Sequence, residues 1–303
     1  MRRRDFLRLS LLASGSSVLA GHAFAAAVAN ARLTIDPGRP GATVGPDFTG
    51  LSYETEQLGD PDFFNPANAE LVGLVRRLGR SGVLRIGGNT SEYSRWTPDM
   101  PTTMNGEMPQ EKHEAVGPDT GKHAPKPTKI TPQAIRNLHG FLDTTGWKLI
   151  YGLNMGTGTP ETAAEEAAYV FNTFGARVIA FQLCNEPDLF FHNGIRAAGY
   201  KYADFATEWQ RYFEAIRLRV PGARFAGPDT AFNNEWLVPF AKQFKDDIVF
   251  LSQHYYAEGP PTDPAMTIER LLRPNPKLED EFAGMKSRHP CRARPECRRR
   301  SAS

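Results

Sequence analysis

Apolar residues in this chain come in short unbroken runs, separated by stretches with helical spacing. The clearest run is Val178-Ile-Ala-Phe-Gln-Leu-Cys, which leads into Asn185-Glu186-Pro187. A continuous apolar run of this length marks a strand buried on both faces. Proline supplies no ladder donor, so the strand is read over 178–187 with Asn185 and Glu186 at its carboxyl end. Five similar runs predict strands over 48–54, 83–86, 148–154, 224–229 and 248–256. Helical spacing predicts helices over 67–80, from Thr131-Pro132 onward, and over 160–174, 202–220, 236–244 and 266–272.

Six strand–helix units in succession predict an α/β fold with a parallel sheet, a (β/α)8 TIM-barrel type. A full barrel has eight units, so this one is read as incomplete, spanning 32–285. No Gly-x-Gly-x-x-Gly follows the first strand, which makes a dinucleotide fold the weaker reading. Residues 97–130 are rich in Pro, Gly, Thr and Lys and predict a long loop walling the pocket. Arg32 to Asp36 reads as one short strand outside the barrel.

The two ends differ from the body. Arg2-Arg3-Arg4 precedes an apolar run from Phe6 to Ala20 and then small residues, the pattern of an export signal over 1–25 with cleavage near Ala25. Arg3 and Arg4 resemble the twin-arginine signal, so the expected partner is the twin-arginine export machinery and the expected location periplasmic or secreted. Residues 286–303 are Arg-rich with no apolar period. They predict a reading frame lost near residue 285; a disordered basic tail is the alternative.

Charge follows this division. Residues 1–31 carry +3 and 286–303 carry +6, while the whole chain is +2, which leaves −7 on the body between them. The acidic body has no basic stripe, so no nucleic-acid partner is expected. Cys184, Cys291 and Cys297 form no Cys-x-x-Cys pair, and no His-Glu-x-x-His is present, so neither metal nor cofactor is expected. Cys184 reads as a small core residue.

A carboxylate at the carboxyl end of a buried parallel strand stands where barrels place their chemistry, which makes Glu186 the first candidate. Its bland alternative is a strand-end Glu that caps a helix or pairs with an Arg. Gly50-Leu-Ser-Tyr-Glu54, Leu84-Arg-Ile-Gly-Gly-Asn89, Cys184-Asn-Glu-Pro-Asp-Leu-Phe190 and His254-Tyr-Tyr256 together resemble glycoside hydrolase family 79, the heparanase-related β-glucuronidases. The resemblance implies a barrel plus a β-sandwich, with Leu33-Thr-Ile35 a strand lent to the sandwich.

It also implies a retaining hydrolase acting on a carbohydrate, a β-glucuronide or related glycoside. Such enzymes use one carboxyl as acid/base and another as nucleophile. By resemblance the acid/base is Glu186, whose pKa must be raised enough to carry a proton. Asn185 would bond the sugar 2-hydroxyl, and Glu54, Gly88 and Asn89 the other hydroxyls. Tyr255 would hold the nucleophile, with His254 behind the contacting residues. The nucleophile falls about a hundred residues after the acid/base, in the Arg-rich tail, so it is expected to be absent and the chain inactive. A non-catalytic exported sugar-binding protein is the competing reading.

Overall fold

The computed structural model describes residues 34, 36–39, 41, 43–98, 127–231, 233–256, 263–276 and 278–279. Two compact units divide the chain at Thr43 and Val44. In the first, a turn at Asp36–Arg39 is closed by Gly38 N donating to Asp36 Oδ1. The expected strand at 33–35 lies largely outside the described residues, as do the export signal and the basic tail.

The second unit is a six-stranded parallel sheet with helices between the strands. In chain order the elements are β1 (Gly50–Glu54), α1 (Ala69–Leu78), β2 (Val83–Gly87), β3 (Ser94–Trp96), β4 (Thr128–Ile130), α2 (Pro132–Thr145), β5 (Lys148–Gly152), α3 (Pro160–Phe174), β6 (Val178–Gln182), α4 (Tyr202–Arg219), β7 (Phe225–Thr230), α5 (Asn234–Gln243), β8 (Ile248–Gln253) and α6 (Ile268–Leu271). The main sheet runs β1-β2-β5-β6-β7-β8, every pairing parallel. This is the predicted α/β architecture of TIM-barrel type, with six strands.

Helix starts follow local capping chemistry. Asn68, Thr131, Thr159 and Asn233 accept backbone N–H groups at the starts of α1, α2, α3 and α5. Pro132 and Pro160 occupy first-turn positions, where no amide donor is missed. Helix α6 has four residues, shorter than the predicted 266–272.

The sheet buries its helix-facing side. Leu84, Ile86, Leu149 and Tyr151 are at most 1% exposed, and Trp209 of α4 sits against Phe225 and Phe240. Central β6 and β7 are buried almost throughout, whereas β1 and β8 are more open. The opposite side of the sheet carries polar side chains, beginning with Arg85 and Gln182.

Two expectations need correction. The strand read over 178–187 stops at Gln182. Beyond it the amide of Asn185 turns to a side chain, and that of Glu186 to Asp229 O in β7, outside the β6–β7 register that ends at Gln182. The segment 97–130 is not loop throughout: Thr128–Ile130 pairs in parallel with Ser94–Trp96, and Thr97 N donates to Ile130 O at 2.9 Å. Residues 99–126 lie outside the described ones.

Candidate active site

Four strand ends place the site. After β6 the chain leaves the ladder, and Glu186 takes a left-handed conformation at φ 49°, ψ 54°, with Pro187 opening a single 3-10 turn. Asp229 falls in a register break of β7 between Pro228 and Thr230 and has φ 62°. Such a break re-aims a side chain. These are the two non-glycine residues with positive φ among the described residues. Backbone strain of this kind costs about 1–3 kcal/mol per residue and collects at functional sites.

His254 bridges the two strained carboxylates. Its Nδ1 lies 2.7 Å from Glu186 Oε1, and its Nε2 lies 3.3 Å from Asp229 Oδ2. Burial alone would lower its pKa, but the bonds to Asp229 and Glu186 outweigh it and push it up to about 9. The imidazole is therefore charged at neutral pH and donates from both nitrogens. Asp229 is 2% exposed. Burial favours its neutral form, yet the His254 bond and then the Arg85 charge hold its carboxyl below the ordinary range.

Arg85 organises the floor. Its Nη2 donates to Asp229 Oδ2 at 2.6 Å and to Asn185 Oδ1 at 2.9 Å, and its Nε to Gln182 Oε1 at 2.6 Å. Gln182 Nε2 in turn donates to Asp229 Oδ1 at 2.5 Å. Both Asp229 oxygens are thus engaged. Asn185 Nδ2 donates to Asn89 Oδ1 at 2.9 Å, so the Asn185 amide is fixed at both ends.

The remaining sequence candidates meet nearer partners. Glu54 Oε2 accepts from Thr90 N and Thr90 Oγ1, each at 2.8 Å. Gly88 has φ 81°, and a Cβ there would lie 2.3 Å from Glu54 Oε1. Close approach of the Glu54 carboxyl therefore accounts for this glycine. The Tyr255 hydroxyl accepts from Asn275 Nδ2 at 2.6 Å. Partial desolvation, and then the charges of Glu186 and Glu54, raise the pKa of its neighbour Tyr256. Cys184 is buried with Sγ 3.7 Å from Pro228 O, as a small core residue would be. Among the described residues no three His, Cys, Asp or Glu side chains gather to hold a metal ion.

The structure therefore brings Asn185, Glu186, His254 and Asn89 together with Arg85, Gln182 and Asp229, which the motif reading passed over. A signal for them exists: each is a polar residue inside, or ending, an otherwise apolar strand run.

No family model matches this chain. It is similar to a β-glucuronidase of Neurospora crassa, 23% identical over 196 residues, which are 59% of this chain and 32% of the relative. It is also similar to a β-glucuronidase of Aspergillus niger, 24% identical over 257 residues, 78% of this chain and 44% of the relative. The chain thus spans less than half the length of either curated relative. The solved structure of a family 51 α-L-arabinofuranosidase from Bifidobacterium longum superposes with a TM-score of 0.53 at 16% identity, covering 86% of this chain and 54% of that one. That likeness is one of fold.

Proposed function

We propose that this chain carries the acid/base half of a retaining β-glycoside hydrolase site, of glycoside hydrolase family 79 and β-glucuronidase-like in substrate. One observation carries the reading: Glu186 stands at the carboxyl rim of a parallel sheet, strained and bonded through Oε1 to a charged His254. Among the described residues no partner is found on Oε2, the oxygen left to face a glycosidic bond. The similarity to two fungal β-glucuronidases supports the substrate class.

In this reading the glycosidic C–O bond breaks as the leaving oxygen takes a proton from Glu186. A second carboxylate forms the bond to the anomeric carbon, and Glu186 then takes a proton from the water that releases the sugar. His254, tied to Asp229, donates from Nδ1 to Glu186 Oε1 and so orients the carboxyl, without entering the proton cycle. The attacking carboxylate is not assigned. Among the described rim residues Glu54, Asp188 and Asp229 are each engaged by protein donors. Export through the twin-arginine machinery by way of Arg3 and Arg4, to a periplasmic or secreted location, belongs to the same proposal.

Calorimetric titration with p-nitrophenyl β-D-glucuronide should show binding to the chain. Its hydrolysis should be feeble, because one member of a carboxylate pair keeps little of the pair's rate. Glu186→Gln should cut whatever hydrolysis there is by roughly 10²- to 10⁴-fold and leave binding in place. Hydrolysis that survives the substitution overturns the assignment of Glu186, and absence of binding overturns the whole reading. The engaged rim carboxylates favour one other reading, an exported protein that binds sugar without cleaving it. Binding with no hydrolysis at all would decide for it.

A further inference from the structure

Glu92 is a buried carboxyl group that the proposed chemistry does not use. It lies in the single 3-10 turn Asn89–Tyr93 after β2 and is 1% exposed. Its Oε1 accepts the backbone N–H of Asn185, and its Oε2 accepts that of Gly156 at 2.5 Å. The two amides come from different connections, one after β6 and one after β5. A Cβ on residue 156 would lie 2.7 Å from both the Cβ and Oε2 of Glu92, so only glycine lets the β5 connection come this close.

The surroundings brace the same arrangement. Arg196 donates to Gly156 O at 2.7 Å and to Met155 O at 2.9 Å, and it is itself paired with Glu208 at 3.0 Å. Asn89, in the same turn as Glu92, accepts from the Asn185 side chain. One turn therefore grips Asn185 by its main chain and its side chain together. On the next residue, Glu186 N donates to Asp229 O at 2.9 Å. Glu186 is thus held from both sides in a conformation that a non-glycine residue keeps only when its surroundings over-determine it.

We propose that Glu92 is a positioning residue: its carboxylate clamps the amides of Asn185 and Gly156 and so fixes the backbone that carries Glu186. The inference rests on the reading of Glu186 as acid/base and deepens it. The donor count gives the clamp its chemistry. An ionised carboxylate is acceptor-only and satisfies both N–H groups, whereas a protonated carboxyl or a Gln amide turns a donor toward one of them. Glu92→Gln is therefore close to isosteric but not neutral.

The test is backbone amide exchange by NMR on the full chain with no sugar present, at a pH above 8, where the Glu92 carboxyl is ionised. In Glu92→Gln, at least one of Asn185 and Gly156, the one that faces the new NH2 group, should exchange roughly ten- to a hundredfold faster, the loss expected for a hydrogen bond to a charged group. The core amides of Leu149 and Phe181 should be unchanged. Because Gln fills the same volume, a role in packing alone predicts no change at either Asn185 or Gly156, and that result overturns the proposal. Faster exchange spread evenly over the core overturns it as well.

A second measurement needs no variant. Burial pushes the Glu92 pKa up to about 8, against the lowering effect of the two backbone bonds and of Arg196. The Asn185 amide proton of the unaltered chain should move downfield as pH rises through 8. The other groups that face Glu92 are Arg196, Asp229, Cys184, Tyr93 and Tyr212, each shifted away from that range. His254, at about 9, is followed separately by its ring protons. A Glu92 side-chain carboxyl carbon that titrates near 8 while the Asn185 amide shift stays flat overturns the clamp. Neither measurement involves a sugar. Their failure removes the clamp and leaves the role of Glu186 standing, while failed glucuronide binding removes that role and leaves the clamp.

Discussion

Beneath the sheet, Trp209 meets Phe213, Phe225, Phe240 and Phe244 at ring separations of 4.3 to 6.1 Å. At the carboxyl rim Asp229 is nearly as deeply buried as most of these rings, but Arg85, Gln182 and His254 surround it. The aromatic layer gains from non-directional contact, which scales with the area and volume filled. The rim gains only if each donor finds its acceptor, because a buried charge without its partner is costly. Backbone strain follows the same division. Among the described residues, both left-handed non-glycine positions stand at the rim, where neighbours hold them in place.

The largest effect is expected in the aromatic layer. Trp209→Ala should destabilise by about 3–5 kcal/mol, because truncating a wholly buried ring adds a cavity to the lost transfer energy. Urea unfolding checks it, and a loss below 1 kcal/mol would show that α4 collapses into the gap.

Asp229→Asn comes next. It should cost about 2–3 kcal/mol by leaving Arg85 and His254 without their counter-charge. The full cost of breaking a buried pair is not expected, since the Arg85 side chain keeps 18% exposure. The same variant should lower the His254 pKa from about 9, read from its ring protons. An unmoved His254 would mean that Glu186 alone sets its charge.

The smallest effect tests a titrating pair within the apolar layer. Tyr151 donates to Glu166 Oε1 at 2.7 Å, both groups being buried. Burial raises the Glu166 pKa from 4.5 to about 7, although the Tyr151 bond lowers it. Between these values the unfolded chain has lost the proton that the folded one keeps, so stability falls as pH rises through 4.5 to 7 and then levels off. Glu166→Gln keeps an acceptor for Tyr151 and removes this fall. Its advantage should grow across that window by something on the order of 1 kcal/mol. Denaturation at both ends of the window measures it, and a pH-independent difference would place Glu166 in contact with water.

Much of the fold was legible along the chain. Helix α3 occupies the predicted 160–174, because the Thr159 cap, Pro160 and the helical spacing all act within a few residues. Strand ends were less legible. The run at 178–187 yields a strand only to Gln182, since a ladder also needs a neighbour, and β7 pairs with β6 only through Phe181 and Gln182. The three-residue pairing of β3 with β4 was invisible for the same reason: neither segment has enough length for a period to show.

The site divides in the same way. Sequence by itself determined that a Glu preceded by Asn stands beyond a buried strand, with His254 beyond another, because residue type and strand period are local properties. Only the tertiary structure decided that His254 touches Glu186 directly, that Asn185 is bonded by Arg85 and Asn89, and that Glu92 grips the segment from behind. Arg85 and Asp229 lie 144 residues apart in sequence and Glu92 and Asn185 lie 93 apart. Hydrogen bonds of this kind depend on ångström-scale distance between strand ends, and sheet order and register set that distance, not the spacing of residues along the chain.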